Sequence, residues 1–173
     1  MINTKTLIIL SIISIFSSTA WSMEFTPQEN CYYKIVNKKR LDKGQDAFMD
    51  SNGNNNNVYS SHFNNMHTKW RFEKVDEYYK IINLHHEHNN THKFLNDTLM
   101  KTGNPTGNKV KWMIIPDEEY NIESIYPRSF TIMNVSNQKL LRARDEGNEI
   151  ILSLANNNIV EDNKKWIFLK QDD

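Results

Sequence analysis

Four of the chain's six histidines fall close together, as His85-His86-Glu87-His88 and His92. Imidazole nitrogens are ligands for zinc or copper, so His85, His86, His88 and His92 are the residues in which metal chemistry is first sought. The spacing favours a polar loop instead. Structural zinc sites pair ligands across a longer interval and commonly include cysteine, and the one cysteine, Cys31, stands elsewhere in the chain. A histidine-rich loop would also gain charge near the ordinary imidazole pKa of ~6.5. The acidic pairs Glu118-Glu119 and Asp145-Glu146 fall in expected loops, where solvated charge explains them. No serine or cysteine has the strand-turn-helix setting of an activated nucleophile. The expectation is a protein without catalytic residues and without a cofactor.

Three Asn-x-Ser/Thr sequons begin at Asn89, Asn96 and Asn134. They would accept glycans if the chain were exported in a eukaryote. Export itself is expected from residues 1–22. Lys5 opens the segment, Leu7 to Phe16 form an apolar run, and small polar residues around Trp21 follow, which is the layout of a secretory signal peptide cleaved after Ser22. The run is shorter than the ~20 residues of a membrane span, so no membrane span is expected. The remainder, 23–173, is expected to be one secreted domain. It carries 20 basic and 21 acidic residues, a balance that argues against nucleic acid, because phosphate binding needs a clustered positive face. One cysteine permits no internal disulfide, so packing must hold the fold, and Cys31 is expected to be buried or else bonded to a second chain.

The elements that must position these residues are written three times. Tyr33-Lys34-Ile35-Val36-Asn37, Tyr79-Lys80-Ile81-Ile82-Asn83 and Phe130-Thr131-Ile132-Met133-Asn134 share an aromatic-x-Ile-x-Asn phrase. Each is answered downstream by Lys69-Trp70-Arg71-Phe72, Lys111-Trp112-Met113-Ile114 or Lys165-Trp166-Ile167-Phe168. The Asn-to-Trp intervals are 33, 29 and 32 residues. Such self-similarity marks three units, at approximately 31–74, 75–117 and 127–170, with an insertion from Asp117 to Arg128. Period-two alternation reads as strands, and no stretch holds a helical period. In the first unit Arg40-Leu41-Asp42 is expected to be extended, Ala47-Phe48-Met49 a strand edge and Val58-Tyr59 a strand. Phrases around Lys39-Arg40-Leu41-Asp42, Lys93-Phe94-Leu95-Asn96 and Lys139-Leu140-Leu141-Arg142 read as counterparts. Three units of about four strands, none able to cover its own apolar face, must pool their aromatics, which predicts an all-β fold, the β-trefoil: a closed barrel with a hairpin cap. The expected core is Tyr33, Ile35, Trp70, Phe72, Tyr79, Ile81, Trp112, Ile114, Phe130, Ile132, Trp166 and Phe168.

On these phrases the sequence resembles the ricin-type (ricin B-like) β-trefoil lectins, whose repeats run aromatic-x-Ile-x-Asn, Lys-x-Leu-Asp and Gln-x-Trp. The resemblance spans the chain after residue 22, although Thr68, Val110 and Lys164 stand where that family has Gln. It implies a site built from an acidic residue after the Lys-x-Leu phrase, an aromatic on the next hairpin and an amide. A carboxylate accepts sugar hydroxyls while a ring packs on the sugar's apolar face. Carried onto this chain, the carbohydrate-binding residues are Asp42, Tyr59, Asn64 and Asn65 of the first unit, with Asn96 and Arg142 replacing the acid in the others. The implied partner is a glycan or glycoprotein surface. The alternative is a protein partner, as for a protease inhibitor or a toxin's targeting subunit, with the insertion as a contact.

Overall fold

The computed structural model describes residues 25–28, 30–45, 47–51, 58–85, 93–103, 106–117, 127–146, 149–156 and 162–171. The expected signal segment therefore lies outside the described residues. Twelve strands are described: β1 Tyr32–Asn37, β2 Phe48–Ser51, β3 Val58–Ser61, β4 Lys69–Val75, β5 Tyr78–Asn83, β6 Phe94–Leu95, β7 Lys101–Thr102, β8 Trp112–Pro116, β9 Ser129–Asn134, β10 Leu140–Glu146, β11 Glu149–Ala155 and β12 Lys165–Gln171. Six of them close a ring of antiparallel pairs, β1 with β4, β4 with β5, β5 with β8, β8 with β9, β9 with β12 and β12 with β1. Three hairpins, β2–β3, β6–β7 and β10–β11, complete the units. This is the all-β trefoil barrel with its hairpin cap.

The alternation explains why these segments are strands. β1 and β5 share one burial pattern, in which the ring and isoleucine of each phrase point inward: Tyr33 and Ile35 on β1, Tyr79 and Ile81 on β5. Their outer neighbours Val36 and Ile82 are also fully covered, because the hairpin residues Phe48 and Phe94 pair against them. All twelve expected core residues are buried in one cluster, and Trp70, Trp112 and Trp166 have no exposed surface. The three indoles are bound alike. Trp70 Nε1 donates to the Met49 carbonyl at 2.7 Å, Trp112 Nε1 to Leu95 at 3.0 Å and Trp166 Nε1 to Leu141 at 2.9 Å.

The Asn that ends each opening phrase is a second threefold device. The Asn37 amide donates to the carbonyls of Asn163 (2.8 Å) and Lys165 (3.3 Å), Asn83 to His67 (2.8 Å) and Lys69 (3.2 Å), and Asn134 to Lys109 (3.0 Å) and Lys111 (3.3 Å). Each bridges the 3-10 turn before a Trp strand. Buried backbone carbonyls must be paired, and the amide supplies two donors where the strand ladder has not begun. Asn134 is fully buried, so its sequon is unavailable for glycosylation in the folded protein.

Two expectations are corrected. Arg40-Leu41-Asp42, expected to be extended, instead belongs to and closes the helical turn α1 (Lys38–Leu41), with the Asp42 amide on the Lys38 carbonyl at 2.9 Å. Asp145-Glu146 lies on β10, not in a loop, and Asp145 pairs with the buried guanidinium of Arg40. The segment before β1 contributes Phe25 to the core. Its ring lies 4.6–5.9 Å from those of Tyr33, Phe72, Tyr79, Phe130 and Phe168, closing the barrel's end. The Tyr79 hydroxyl donates to the Phe25 carbonyl at 2.6 Å. Cys31 packs partly buried beside this cluster as a free thiol. The insertion's middle, 118–126 with Glu118 and Glu119, lies outside the described residues, while its neck is pinned: Arg128 and Lys165 both hold Asp117, at 3.0–3.1 Å.

Candidate functional site

The threefold hydrogen bonds give an internal ruler. The indole acceptors Met49, Leu95 and Leu141 are equivalent, so the residue after each occupies one position in three units: Asp50, Asn96 and Arg142. The strand pairing agrees, with Val36, Ile82 and Met133 facing Phe48, Phe94 and Leu140. The counterpart of the Lys-x-Leu phrase in the first unit is thus Ala47-Phe48-Met49, and the acidic position is Asp50. Asp42 stands at the end of α1, exposed and ion-paired with Lys38 at 2.6 Å.

Asp50 is directly opposite Tyr59 in the β2–β3 hairpin. The carboxylate is almost completely buried, its Oδ1 has no hydrogen-bond partner among the described residues, and it accepts from the Tyr59 hydroxyl. Burial raises the Tyr59 pKa above its ordinary value, and the Asp50 charge and hydrogen bond raise it further. The ring itself remains 38% exposed. A second buried charge approaches from the next unit. The Val58 amide bonds the Leu99 carbonyl at 3.0 Å, which brings β3 against the segment leading into Lys101. Burial lowers the Lys101 pKa, Lys93 adds to that, and Asp50 opposes it. A desolvated ammonium near a desolvated carboxylate is the arrangement in which each offsets part of the other's burial.

Beyond β3 the chain stays on the surface in a fixed shape. The Phe63 amide donates to Ser61 Oγ at 3.0 Å. Asn65 caps the following 3-10 turn, accepting from the His67 amide at 2.9 Å, while Thr68 reaches back to the Asn65 backbone. Asn65 therefore has a structural role, and Asn64 is exposed beside it. The exposed large apolar side chains of the described surface are Tyr59, Phe63, Met66 and Met100. Three belong to this stretch, and the fourth follows Leu99, the residue bonded to Val58. The structure thus brings Tyr59 together with Asp50, with exposed Phe63 and Met66 further along the same stretch; Asn64 and Asn65 share the stretch, and Asp42 pairs with Lys38 instead.

The equivalent positions elsewhere have other work. Asn96 Oδ1 accepts from the Thr98 amide and hydroxyl and from the Met100 amide, at 2.8–3.0 Å, which folds a turn. Arg142 Nε bonds Ser153 Oγ at 2.9 Å. Of the histidine run only His85 lies among the described residues; His86, His88, His92 and the sequon residue Asn89 lie outside them. Among the described residues no group of three or more metal-ligating side chains is assembled, and no helix is long and apolar enough to cross a membrane.

No protein-family model and no curated protein sequence matches the chain. Solved structures do. A BEL β-trefoil aligns over 85% of this chain and 97% of its own, with a TM-score of 0.64 and 14% identity. A GlcNAcα1-4Gal-releasing endo-β-galactosidase from Clostridium perfringens aligns over 83% of this chain but 33% of its own, with a TM-score of 0.62 and 18% identity. A chain of the Haemophilus ducreyi cytolethal distending toxin aligns over 84% and 87%, with a TM-score of 0.58 and 11% identity. At these identities the likeness establishes the fold: the chain is a β-trefoil.

Proposed function

We propose that this protein is an exported, non-enzymatic carbohydrate-binding β-trefoil of the ricin-type kind, with its glycan site on the first unit's hairpin. The observation that carries the reading is the Asp50–Tyr59 pair. A half-exposed ring held by a buried carboxylate is a rigid platform for the apolar face of a sugar, at little cost in side-chain entropy. Asn64 offers an amide to hydroxyls at the rim. Asp50 Oδ1 is an acceptor whose bonding is incomplete among the described residues. The C. perfringens enzyme, an endo-β-galactosidase that releases GlcNAcα1-4Gal, supports a trefoil serving a sugar-directed protein. Glycan-array binding by the wild-type chain and its loss in Tyr59→Ala, with the fold retained by circular dichroism, is the expected outcome. Failure to bind any glycan overturns the reading.

A protein-binding role, as in a toxin's targeting subunit or a protease inhibitor, is the second reading. It is favoured by the exposed Met66 and Met100 and by the rigid neck of the insertion at Asp117 and Arg128. A protein captured by the wild-type chain but not by one lacking 118–126 would support it.

A further inference from the structure

The structure brings His67, which is remote from the histidine run in sequence, against the first residue of that run. The His67 and His85 ring centroids are 4.0 Å apart, with the rings tilted by 43°. Both backbones are fixed by one residue. The Asn83 amide holds the His67 carbonyl at 2.8 Å, and His85 follows Asn83 by two positions, after the buried Leu84. The His67 amide is tied as well, to Asn65 Oδ1.

The fold does not require this pair. The threefold ruler sets Asn163 and Lys109 at the positions equivalent to His67, and Lys39 and Ser136 at those equivalent to His85. Neither of the other units places two imidazoles there. His67 Nδ1 is also covered and lacks a hydrogen-bond partner among the described residues. A buried ring nitrogen left without a partner costs free energy, and a bound ion or an ordered water would satisfy it.

We propose that His67 and His85 are the two protein ligands of a site for a divalent transition metal of the zinc or copper class, with solvent completing the coordination. Imidazole nitrogens suit these ions. Two imidazoles on one tetrahedral zinc, each nitrogen 2.0–2.1 Å from the ion, set their ring centroids roughly 5 Å apart, so the two rings, in contact at 4.0 Å, turn apart by about 1 Å to take the ion between them. Because the ligands must be unprotonated, protons compete with the metal and binding weakens on acidification. This site is separate from the Asp50–Tyr59 hairpin and does not depend on the glycan reading.

The test is titration of the intact protein with zinc or copper chloride against a chromophoric competitor. The wild type is expected to bind one ion, more weakly at pH 5 than at pH 7.5, with a rise in melting temperature. His67→Phe preserves a ring in the contact and removes the ligand. It should keep the fold and lower affinity at least ~10-fold, the scale on which even outer partners of metal sites act, and His85→Ala should do the same. The triple variant His86→Ala, His88→Ala, His92→Ala should retain the affinity. Absence of binding in the wild type overturns the proposal. So does a triple variant that loses the metal while His67→Phe keeps it, since the run alone would then be the ligand.

Discussion

The barrel and the first hairpin's outer face obey opposite rules. In the barrel, whatever one unit does the others repeat: three indoles donate to equivalent carbonyls, and three asparagines bridge equivalent turns. On the hairpin face, one position carries Asp50, Asn96 and Arg142, bonded in three different ways. Repetition marks residues whose task is set by the fold. Departure from it marks residues released from that task, and it is there that a ligand site is sought.

The comparison predicts a graded set of effects. Replacing any one of Trp70, Trp112 or Trp166 by Ala should destabilise by about 3–5 kcal/mol, with similar losses at all three, measured by urea denaturation. A tryptophan that proves dispensable breaks the threefold account. Asn37→Ala, Asn83→Ala and Asn134→Ala each leave two buried carbonyls short of a donor and should cost about 1–3 kcal/mol apiece. Tyr59→Ala takes a donor from the buried Asp50 carboxylate and should cost a comparable amount, about 1–3 kcal/mol, but unlike the asparagine variants it should also lower glycan affinity on a sensor surface at least about tenfold, or ~1.4 kcal/mol. The smallest effect concerns ionisation. The Tyr59 pKa is raised in the folded state, so its contribution to stability is complete below the unfolded tyrosine value of ~10 and is lost as pH rises through the folded one. In Asp50→Asn the Tyr59 midpoint, followed by NMR of ring-labelled tyrosine, should move down; an unchanged midpoint would sever the proposed pairing.

How much of this was legible depended on whether a residue's partners were near in sequence pattern or only in space. Aromatic-x-Ile-x-Asn and the tryptophans announce their own burial through period-two alternation, so the barrel and its core could be read directly. The acidic position could not be read from the Lys-x-Leu phrase, because Lys39-Arg40-Leu41 imitates it while folding as the turn α1. Spacing did not decide it either: Asn37 to Asp50 and Asn83 to Asn96 are both 13 residues, but Asn134 to Arg142 is eight and Asn37 to Asp42 is five. Phe25 was illegible for a different reason. One aromatic beside Pro27 shows no period, and its packing against five rings exists only once the barrel has closed. The His67–His85 contact likewise depends on Asn83 tying a distant carbonyl.

The central claim is that binding resides at Asp50 and Tyr59, where the first unit departs from the other two. It is tested most directly by calorimetric titration of Asp42→Ala and Asp50→Asn, side by side with wild type, against the strongest glycan on the array. The account predicts wild-type affinity for Asp42→Ala, whose exposed ion pair with Lys38 contributes little, and a loss of at least about tenfold for Asp50→Asn, ~1.4 kcal/mol. Loss of binding in Asp42→Ala with full affinity in Asp50→Asn would contradict it.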